Sequence, residues 1–497
     1  MSLPQKLEIL VGTYNINQQL INQPLKDWLF SLNNDSSSTI IDKPDILAIG
    51  FQEFSPYPYA FLNRNTTRLQ DYAELIEQAI IECTHESYTQ IVEECMVGLS
   101  LFVYVRDSTV VKHVKQVKTE KAGVGPFWMG NKGAVAAFLE LGSPREDSDD
   151  KRGVSLCFVC AHLAAHNHNV HLRNTHFRRV CERLLFPKGN EDQELSSTTS
   201  TKETDSEINR KNHYNIYDSD YLFFFGDLNY RISLEHPTHP PITLVSLVNT
   251  LRERQHHRLS HYDQLSIART TGSTLHGFEE GQLSFAPTYK FHTGSNEYNT
   301  ELRIPGWCDR ILYFWHRENN EVKATRSNAV VEDYITPAEG STSTGLKGST
   351  ALKENRSLIK LENYISHPQY TLSDHKPVSA LFTVTTLNPD QQKRIFESPF
   401  KIDPWYKVKR QIGEVFEKIA GALWWICGTP TGLGVLVTGV TTFGFIITSP
   451  SWDPLGHYVL RVFQILDHSV PVAPDLIPSQ TRFFRCPECH KEASNLY

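Results

Sequence analysis

The stretch FFFGDLNYRI, residues 223–232, places three polar side chains directly behind three phenylalanines and a glycine. A β-strand projects residues i, i+2 and i+4 from one face. Asp227, Asn229 and Arg231 would therefore leave the end of a buried strand on the same side. A carboxylate, an amide and a guanidinium brought together in this way indicate a functional site rather than part of a core.

Polar side chains also stand at the ends of five other apolar runs. Taken singly, each has an ordinary explanation: Glu53 could cap a helix, His162 could be a core histidine and Asp374 could belong to a turn. Taken together, they would be costly to desolvate unless they satisfied one another or a ligand. The five clusters are Asn15 and Asn17 in GTYNIN, Gln52 and Glu53 in GFQEF, His162 and His166 in CAHLAAH, Asp309 and Arg310 in GWCDRIL, and Asp374 and His375 in SDHKPV.

The residue types limit the chemistry. The sequence has no glycine-rich phosphate loop, no GxSxG motif and no HExxH motif, so P-loop, serine-hydrolase and zincin mechanisms lack support. Carboxylate and amide oxygens favour Mg²⁺, which is typically held by one or two carboxylates plus substrate phosphate oxygens. The clusters therefore predict a magnesium-assisted hydrolase of a phosphate ester. The net charge of −7 argues against nonspecific nucleic-acid binding, which needs cationic side chains, and we expect no nucleic-acid partner.

Short apolar runs interleaved with amphipathic segments predict the elements that carry these clusters. Helices are expected over residues 67–84 and 169–186, and the interleaving predicts an α/β fold with sheets packed between helices. Residues 188–212 and 318–357 are polar and rich in Ser and Thr, which is typical of surface insertions. Strands are expected in LEILVGTYNIN, DILAIGFQE, GLSLFVYVR, GAVAAFLEL, VSLCFVCAHL, YLFFFGDLN, CDRILYFW and PVSALFTVTT.

The runs FGDLNYR and PGWCDRIL resemble the two signature motifs of the inositol polyphosphate 5-phosphatases. GTYNIN, FQE, NKGAV, CAHLAAH, PTYKF and SDHKPV resemble further motifs of that family, in the same order. The similarity extends over residues 7–385 and implies a catalytic domain over residues 1–390. It also implies the DNase I-like fold of the family, a four-layer α/β sandwich of two packed β-sheets flanked by helices.

The resemblance implies which residues hold the metal ion and the water. Glu53 would be a direct Mg²⁺ ligand. Asp227 would be the base that activates the attacking water, and Asn229 would orient that water or the phosphate. This fits a displacement that depends on positioning and charge neutralisation. The other implied metal-site residues are Asn15 and Asn17, beside Glu53, and Asp374, near the ion.

The same resemblance implies the substrate contacts. Asp309 would accept a ring N–H of His375, so that the other ring nitrogen faces the scissile phosphate. The residues His162 and His166 would contact that phosphate, Tyr289, Lys290 and Arg303 would hold the neighbouring 4-phosphate, and Lys132 and Arg310 would complete the substrate-binding set. Glu301 stands where the family often has lysine, which leaves the ranking of lipid and soluble substrates open.

The carboxyl-terminal part has a different composition. Residues 391–418 are basic and are interpreted as a linker, whereas residues 419–452 contain no charged side chain. An apolar run of this length predicts a membrane anchor that spans the bilayer once or folds back as a hairpin. The alternative is a buried core helix. Residues 453–497 would form a tail, in which the role of Cys486, Cys489 and His490 stays open.

Together these observations predict an enzyme that removes the 5-phosphate of phosphatidylinositol 4,5-bisphosphate with Mg²⁺. It would be anchored by residues 419–452 with its catalytic domain facing the cytosol. A resemblance to small fungal 5-phosphatases with carboxyl-terminal anchors implies the endoplasmic reticulum. No protein partner can be inferred from the sequence. Two alternatives remain, a nuclease or sphingomyelinase of the same superfamily, and a membrane-anchored inositide-binding scaffold without turnover.

Overall fold

The computed structural model describes residues 3–31, 43–62, 65–142, 153–188, 212–301, 303–316, 358–386 and 396–428, together with residues 434, 435 and 438 and the backbone of residues 482–484. Within these residues the chain forms two large mixed β-sheets. The first has the strand order β13 (Ile359–Ser366), β14 (Val378–Thr385), β1 (Lys6–Asn15), β2 (Ile46–Gln52), β4 (Leu99–Arg106), β3 (Tyr88–Met96) and β15 (Arg482–Phe484). The second has the order β11 (Glu279–Glu280), β12 (Asp309–Trp315), β10 (Tyr221–Asp227), β7 (Val154–His162), β6 (Gly133–Leu141) and β5 (Val114–Gly123), while β8 (Leu185–Pro187) and β9 (His213–Asn215) pair separately.

Helices cover the outer faces of both large sheets. On the first sheet, Tyr72 and Ile76 of α3 pack in one apolar cluster with Phe51 and Phe102 of the strands. The resulting order of helix, sheet, sheet and helix confirms the predicted α/β sandwich. The helices are α1 (Lys26–Leu29) and α3 (Thr66–Thr84) on the first sheet, α4 (Val170–Arg183) and α6 (Gln264–Thr270) on the second, and α2 (Tyr57–Phe61), α5 (Leu244–Arg252) and α7 (Tyr406–Gly428) elsewhere.

Strand β10 explains why an apolar run precedes the polar site residues. Phe223 and Phe225 point into the core between the two sheets, whereas Leu222 and Phe224 point outward beneath α4 and α6. Both faces of the strand are therefore buried, and a strand buried on both faces is apolar throughout instead of alternating.

Two parallel strand pairs bring the site residues to one edge of the sandwich. In the first sheet β1 and β2 are parallel, with Asn15 opposite Gln52 at their carboxyl ends. In the second sheet β7 and β10 are parallel, with His162 opposite Asp227. The two sheets approach closely here, because a Cβ on Gly50 would lie 2.5 Å from the Sγ of Cys160. This close approach places polar strand ends from both sheets in one region.

Every strand and helix predicted before residue 390 is present. Among the longer strands, β3, β5 and β13 were not predicted, and neither were the short strands β8, β9, β11 and β15. In β5 most side chains are charged or half-buried, and in β13 the register shifts between Leu361 and Asn363, so neither strand has a clear apolar alternation. The predicted insertions, 188–212 and 318–357, lie almost entirely outside the described residues.

The predicted boundary between a basic linker and a membrane segment, at residues 418 and 419, falls inside one continuous helix. Helix α7 runs without interruption from Tyr406 to Gly428 and contacts α2 and the turn that contains Pro126–Trp128. Residues on the linker side of the boundary therefore belong to a helix that is docked on the catalytic domain. Within the part of the chain that the structure describes, no helix is long and apolar enough to cross a membrane, and most of 419–452 lies outside that part.

Candidate active site

Asp227, the last residue of β10, lies at the centre of the site and is almost fully buried. Its Oδ2 accepts a hydrogen bond of 2.9 Å from Asn15 Nδ2 and lies 3.2 Å from His162 Nε2. Its Oδ1 accepts a bond of 3.0 Å from the backbone N–H of Asn229. Strand ends from both sheets therefore converge on one carboxylate, as the sequence predicted.

A buried Asp–His pair lies beside Asp227. His375 Nδ1 lies 2.9 Å from Asp309 Oδ2, and the hydroxyl of Thr288 donates to the same oxygen at 2.7 Å. The other ring nitrogen, Nε2, faces Asp227 at 3.9 Å from its Oδ2. The contact between Asp309 and His375 is the one that the family resemblance implied, while its role in catalysis stays a prediction.

The charges in this cluster shift its pKa values. Burial raises the pKa of Asp309 to about 6. Burial also opposes the charged imidazole, but the carboxylates of Asp309 and Asp227 outweigh it and raise the pKa of His375 to about 9. Burial disfavours the ionised Asp227 too, yet His375 and His162 hold its pKa below its ordinary value. At neutral pH the site therefore holds an ionised Asp227 facing an imidazolium.

Lys132 adds a cation on the side of β6. Its Nζ contacts His162 Nε2 directly. Burial lowers the pKa of Lys132, although the carboxylates of Asp227 and Glu53 oppose this shift. Burial and the neighbouring Lys132 also lower the pKa of His162, which keeps that imidazole neutral at physiological pH. The structure thus brings Lys132 into the site with the two carboxylates.

Glu53 supplies a carboxylate that can hold a cation. Its Oε1 lies 3.9 Å from His162 Nε2, the ring nitrogen that also contacts Asp227. The side chain is only 23% exposed, yet among the described residues no hydrogen bond to its carboxylate is formed. A poorly solvated carboxylate without a donor is suited to a metal ion, and the nearby amide oxygens are hard ligands of the kind that Mg²⁺ takes. Asn15 lies beside it, with its Oδ1 accepting from the backbone N–H of Asn17 at 3.0 Å.

The backbone of several site residues is held in an unusual conformation. The four residues are not glycines, and each has a positive φ: Asn17 at 48°, Glu53 at 49°, Asn229 at 60° and His166 at 74°. Positive φ is uncommon outside glycine, and such residues cluster at functional sites where the surrounding structure holds them in place. This conformation helps to direct the side chains that follow β1, β2, β7 and β10 toward one region.

Asp309, Asp227 and His375 also form a compact group whose possible ligand atoms lie within 4.8 Å of one another. Asp309 is fully buried, and its Oδ2 is occupied by His375 and Thr288. The imidazolium of His375 would repel a cation. The carboxylate of Glu53, on the other side of Asp227, therefore suits a metal ion better than this group does.

The structure revises two predicted assignments. Asp374, predicted to lie near the metal, pairs with Lys290 Nζ at 2.7 Å, so it belongs to the substrate side of the site. Arg310, predicted to bind substrate, is fully buried and forms ion pairs with Asp263 at 3.0 Å and with Glu280 at 2.5 Å. Its guanidinium is saturated by two carboxylates, which makes Arg310 a structural residue.

The structure places the remaining predicted substrate residues in two pairs. The ring of Tyr289 lies 4.4 Å from that of His375, measured between centroids, and Lys290 Nζ lies 5.3 Å from the Tyr289 ring centroid. His166 and Arg303 are exposed. Burial and the positive charge of Arg303 both lower the pKa of His166, which places these two side chains near each other.

Three residues without a predicted role also belong to the site. Arg231 is 2% exposed, and its Nη2 donates to Asn229 Oδ1 at 2.8 Å. Its Nε and Nη1 have no hydrogen-bond partner among the described residues. The spacing from Asp227 had grouped Arg231 with the site, whereas nothing in the sequence marked Thr288, which holds Asp309, or Ser373, whose Oγ accepts the backbone N–H of His375 at 3.1 Å.

Comparison with known proteins agrees with this fold. A sequence model of endonuclease/exonuclease/phosphatase family 2 matches residues 12–381. The match covers most of the chain, and the protein therefore belongs to this family.

Curated relatives carry more specific names. The chain is 28% identical over 383 residues to the mouse type II inositol 1,4,5-trisphosphate 5-phosphatase, covering 76% of this chain and 30% of that protein. It is 29% identical over 316 residues to the inositol-1,4,5-trisphosphate 5-phosphatase 1 of Schizosaccharomyces pombe, covering 62% of this chain and 25% of that protein. The chain thus matches less than a third of the length of either relative.

A solved structure shares the fold. It is the inositol polyphosphate 5-phosphatase domain of a synaptojanin, in complex with inositol (1,4)-bisphosphate and a calcium ion. The TM-score is 0.53 at 23% sequence identity, covering 85% of this chain and 93% of that domain. At this identity the comparison supports the two-sheet architecture alone.

Proposed function

We propose that this protein is a Mg²⁺-dependent inositol polyphosphate 5-phosphatase that acts chiefly on phosphatidylinositol 4,5-bisphosphate and releases phosphatidylinositol 4-phosphate. The observation that carries the proposal is the convergence of Asp227, His162 and the Asp309–His375 pair beside Glu53 at one edge of the sandwich. The names of the curated relatives support the same activity.

The reaction would be an in-line displacement at phosphorus. Ionised Asp227 would accept the proton of the attacking water, and Asn229, whose backbone N–H is bonded to Asp227, would hold that water or the phosphate in line. The imidazolium of His375 and the ammonium of Lys132 would stabilise negative charge on the phosphoryl oxygens. When bound by Glu53 with Asn15 and Asn17, Mg²⁺ would supply further positive charge to the phosphate oxygens.

The specificity for adjacent phosphates would come from the cations around Tyr289. Lys290 and the partly unpaired guanidinium of Arg231 lie against the Tyr289 ring, and Arg303 lies near His166. Two or more cations placed in this way favour a ring with neighbouring phosphates over a monophosphate. His162, at the end of β7, and His166, in the segment that follows, would contact the scissile phosphate.

We further propose that residues 419–452 anchor the enzyme at the cytosolic face of the endoplasmic reticulum. The uncharged length of this segment and the basic residues before it support an anchor. An anchored enzyme and a lipid substrate share one surface, which raises their effective concentration.

The test is phosphate release by the full chain from vesicles that contain phosphatidylinositol 4,5-bisphosphate, with Mg²⁺ or with a chelator. We expect phosphate release in the presence of Mg²⁺ and none with the chelator. We also expect Asp227→Ala to lower kcat by about 10³-fold or more. Equal release by that variant would exclude the proposed role of Asp227. Absence of release by the wild type would exclude the activity.

The two alternatives give different results in the same assay. A nuclease or sphingomyelinase would cleave abasic DNA or sphingomyelin in preference to the inositide. A scaffold would bind inositide vesicles tightly without releasing phosphate from them. The intact set of Glu53, Asp227, Asn229, Asp309 and His375 favours a turnover enzyme over a scaffold.

A further inference from the structure

Helix α7 is fixed to the catalytic domain by a face that contains two glycines. An added Cβ on Gly413 would lie 2.4 Å from the backbone oxygen of Trp128, and one on Gly421 would lie 2.8 Å from the Cβ of Phe61. The helix backbone therefore contacts the domain more closely than any side chain would permit. We call this side of α7 its inner face.

Polar contacts and stacked rings connect the inner face to both sides of the active site. Glu417 Oε1 accepts a hydrogen bond of 2.6 Å from the N–H of Gly130, two residues before Lys132. Arg410 pairs with Glu120 at 2.8 Å. The helix thus reaches the segment that leads to Lys132 and the helix that follows Glu53. The stacked ring pairs are Phe416 with Phe127, at 4.4 Å between centroids, and Trp424 with Tyr57, at 5.8 Å.

The opposite side of α7 is also apolar, and it faces solvent. Val408, Val415, Ile419 and Leu423 are 44%, 55%, 50% and 58% exposed. Together with Ile412 they recur at spacings of three and four residues, which places them along one side of a helix. We call these five residues the outer stripe. A helix that is apolar on two opposite sides needs a second apolar neighbour besides the domain.

The residues around the outer stripe indicate what that neighbour is. Lys407 and Lys418 are exposed on α7, and Trp405, immediately before the helix, is 64% exposed. Beyond Lys418 the sequence has no charged residue before Asp453. Lysines beside an apolar stripe, with an exposed tryptophan at the start of the helix, are typical of a helix that lies in the headgroup layer of a bilayer. The lysines would also attract anionic lipids.

We propose that the outer stripe of α7 lies in the interfacial layer of a phospholipid bilayer and thereby fixes the orientation of the active site toward that surface. This inference rests on the proposed function and extends it, because it makes α7 a rigid connection rather than a flexible tether. The spacing of the stripe would also suit pairing with a second copy of the chain. A second copy would bring further lysines to the stripe, whereas anionic headgroups would neutralise Lys407 and Lys418, so the bilayer is the better partner.

An activity assay on two substrates tests the orientation. The full chain with Val415→Gln and Ile419→Gln is compared with the wild type on vesicles that contain phosphatidylserine and phosphatidylinositol 4,5-bisphosphate, and on soluble inositol 1,4,5-trisphosphate. The matched control carries Leu244→Gln and Val245→Gln, which change two exposed apolar residues of α5.

We expect lipid hydrolysis by the stripe variant to fall about fivefold or more, with soluble hydrolysis changed less than about twofold and the control unchanged on both substrates. Unchanged lipid hydrolysis, or an equal loss on both substrates, would overturn the inference. If the wild type hydrolyses neither substrate, the proposed function fails, and the inference is then decided by cross-linking.

Cross-linking reports the neighbour of the stripe directly. A photo-reactive benzoylphenylalanine replaces Val415, or Val245 as the control, in the full chain bound to phosphatidylserine vesicles. We expect lipid adducts at position 415 and none at position 245. Cross-linked dimers through position 415 would show a second copy in place of the bilayer, and absence of any lipid adduct would overturn the inference as well.

Discussion

The guanidinium of Arg231 lies over the ring of Tyr289, with its Cζ 4.4 Å from the ring centroid. This contact joins the strand end that carries Asp227 to the PTYKF segment that carries Lys290. Nη2 donates to Asn229, whereas Nε and Nη1 are buried without a hydrogen-bond partner among the described residues. We interpret these two nitrogens as donors for a substrate phosphate.

Replacing Arg231 tests this interpretation. We expect Arg231→Met to lower kcat/KM for the bisphosphate lipid by about 100-fold, since a desolvated guanidinium makes charge-assisted, bidentate contacts with phosphate. Arg231→Lys should recover only part of the loss, because an ammonium lacks the planar fork. Initial rates on vesicles measure the effect.

The matched control for Arg231 is Arg178→Met on α4. The Arg178 side chain is 53% exposed and, among the described residues, pairs with Glu182 alone at 3.8 Å, so its loss should change the rate less than about twofold. Full activity of Arg231→Met with an unchanged melting temperature would contradict the assignment.

The position of the site was predictable, because it depends on local features of the sequence. Apolar runs that end in polar residues marked β1, β2, β7 and β10, and parallel pairing then brings their carboxyl ends together. Because the two sheets pack closely at this edge, Glu53 of the first sheet then lies near Asp227 of the second. The sequence showed less clearly where each polar side chain finds its partner, because that depends on residues far away in the chain.

Arg231 and Arg310 illustrate the limit. Each stands close behind an aspartate of a signature motif, yet Arg231 lines the site whereas Arg310 is enclosed by Asp263 and Glu280. No local pattern distinguishes the two arginines. Helix α7 was missed for a similar reason, since Gly413 and Gly421 lower helix propensity. The close contact with the domain that these glycines permit is visible only in the structure.

The buried ion pair of Arg310 gives a prediction for stability. Arg310→Met should lower the free energy of unfolding by about 3–5 kcal/mol, because Asp263 would stay buried without its cation and Glu280 would keep only the more distant Arg269 as a cationic partner. The KM of the folded enzyme should change little, since the guanidinium does not reach the substrate. Urea unfolding and rates at low temperature measure the two quantities.

A different outcome would restore the predicted role of Arg310 in binding. That outcome is a variant with normal stability and a KM raised about tenfold or more. Arg269→Met serves as the control, because Arg269 is 25% exposed and lies 3.4 Å from Glu280. It should lower the free energy of unfolding by only about 1 kcal/mol.

The Asp309–His375 pair predicts a pH dependence of activity. With pKa values of about 6 for Asp309 and about 9 for His375, the pair holds an ionised carboxylate and an imidazolium between these two limits. We expect kcat on soluble inositol 1,4,5-trisphosphate to be nearly constant within this window and to fall on both sides. Asp309→Asn removes the larger of the two charges that raise the pKa of His375, so its activity should fall at a lower pH than that of the wild type.

The same pair affects stability with a defined sign. The pKa of His375 is higher in the folded than in the unfolded chain, so its stabilisation is complete below about pH 6.5 and is lost as the pH rises through about 9. Replacing the exposed His171 by Gln should leave both profiles unchanged. An alkaline limb at the same pH in the wild type and in Asp309→Asn would show that another group controls activity.

Glu417 makes the docking of α7 dependent on pH. Burial raises the pKa of this carboxyl group to about 7, from an ordinary value of 4.5. Since the folded state binds the proton more tightly, the stabilisation is complete below about pH 4.5 and is lost as the pH rises through about 7. We expect Glu417→Gln, which can still accept from the N–H of Gly130, to stabilise the full chain by about 2 kcal/mol at pH 8 and by less than about 0.5 kcal/mol at pH 4.5.

Urea unfolding of both proteins at the two pH values measures this difference. Glu414→Gln is the matched control, because Glu414 lies on the same helix with a side chain that is 53% exposed. Its effect should be small and nearly equal at both pH values. An equal change in stability by Glu417→Gln at pH 4.5 and pH 8 would show that the carboxyl group of Glu417 does not titrate between these values. Burial would then not raise its pKa as proposed.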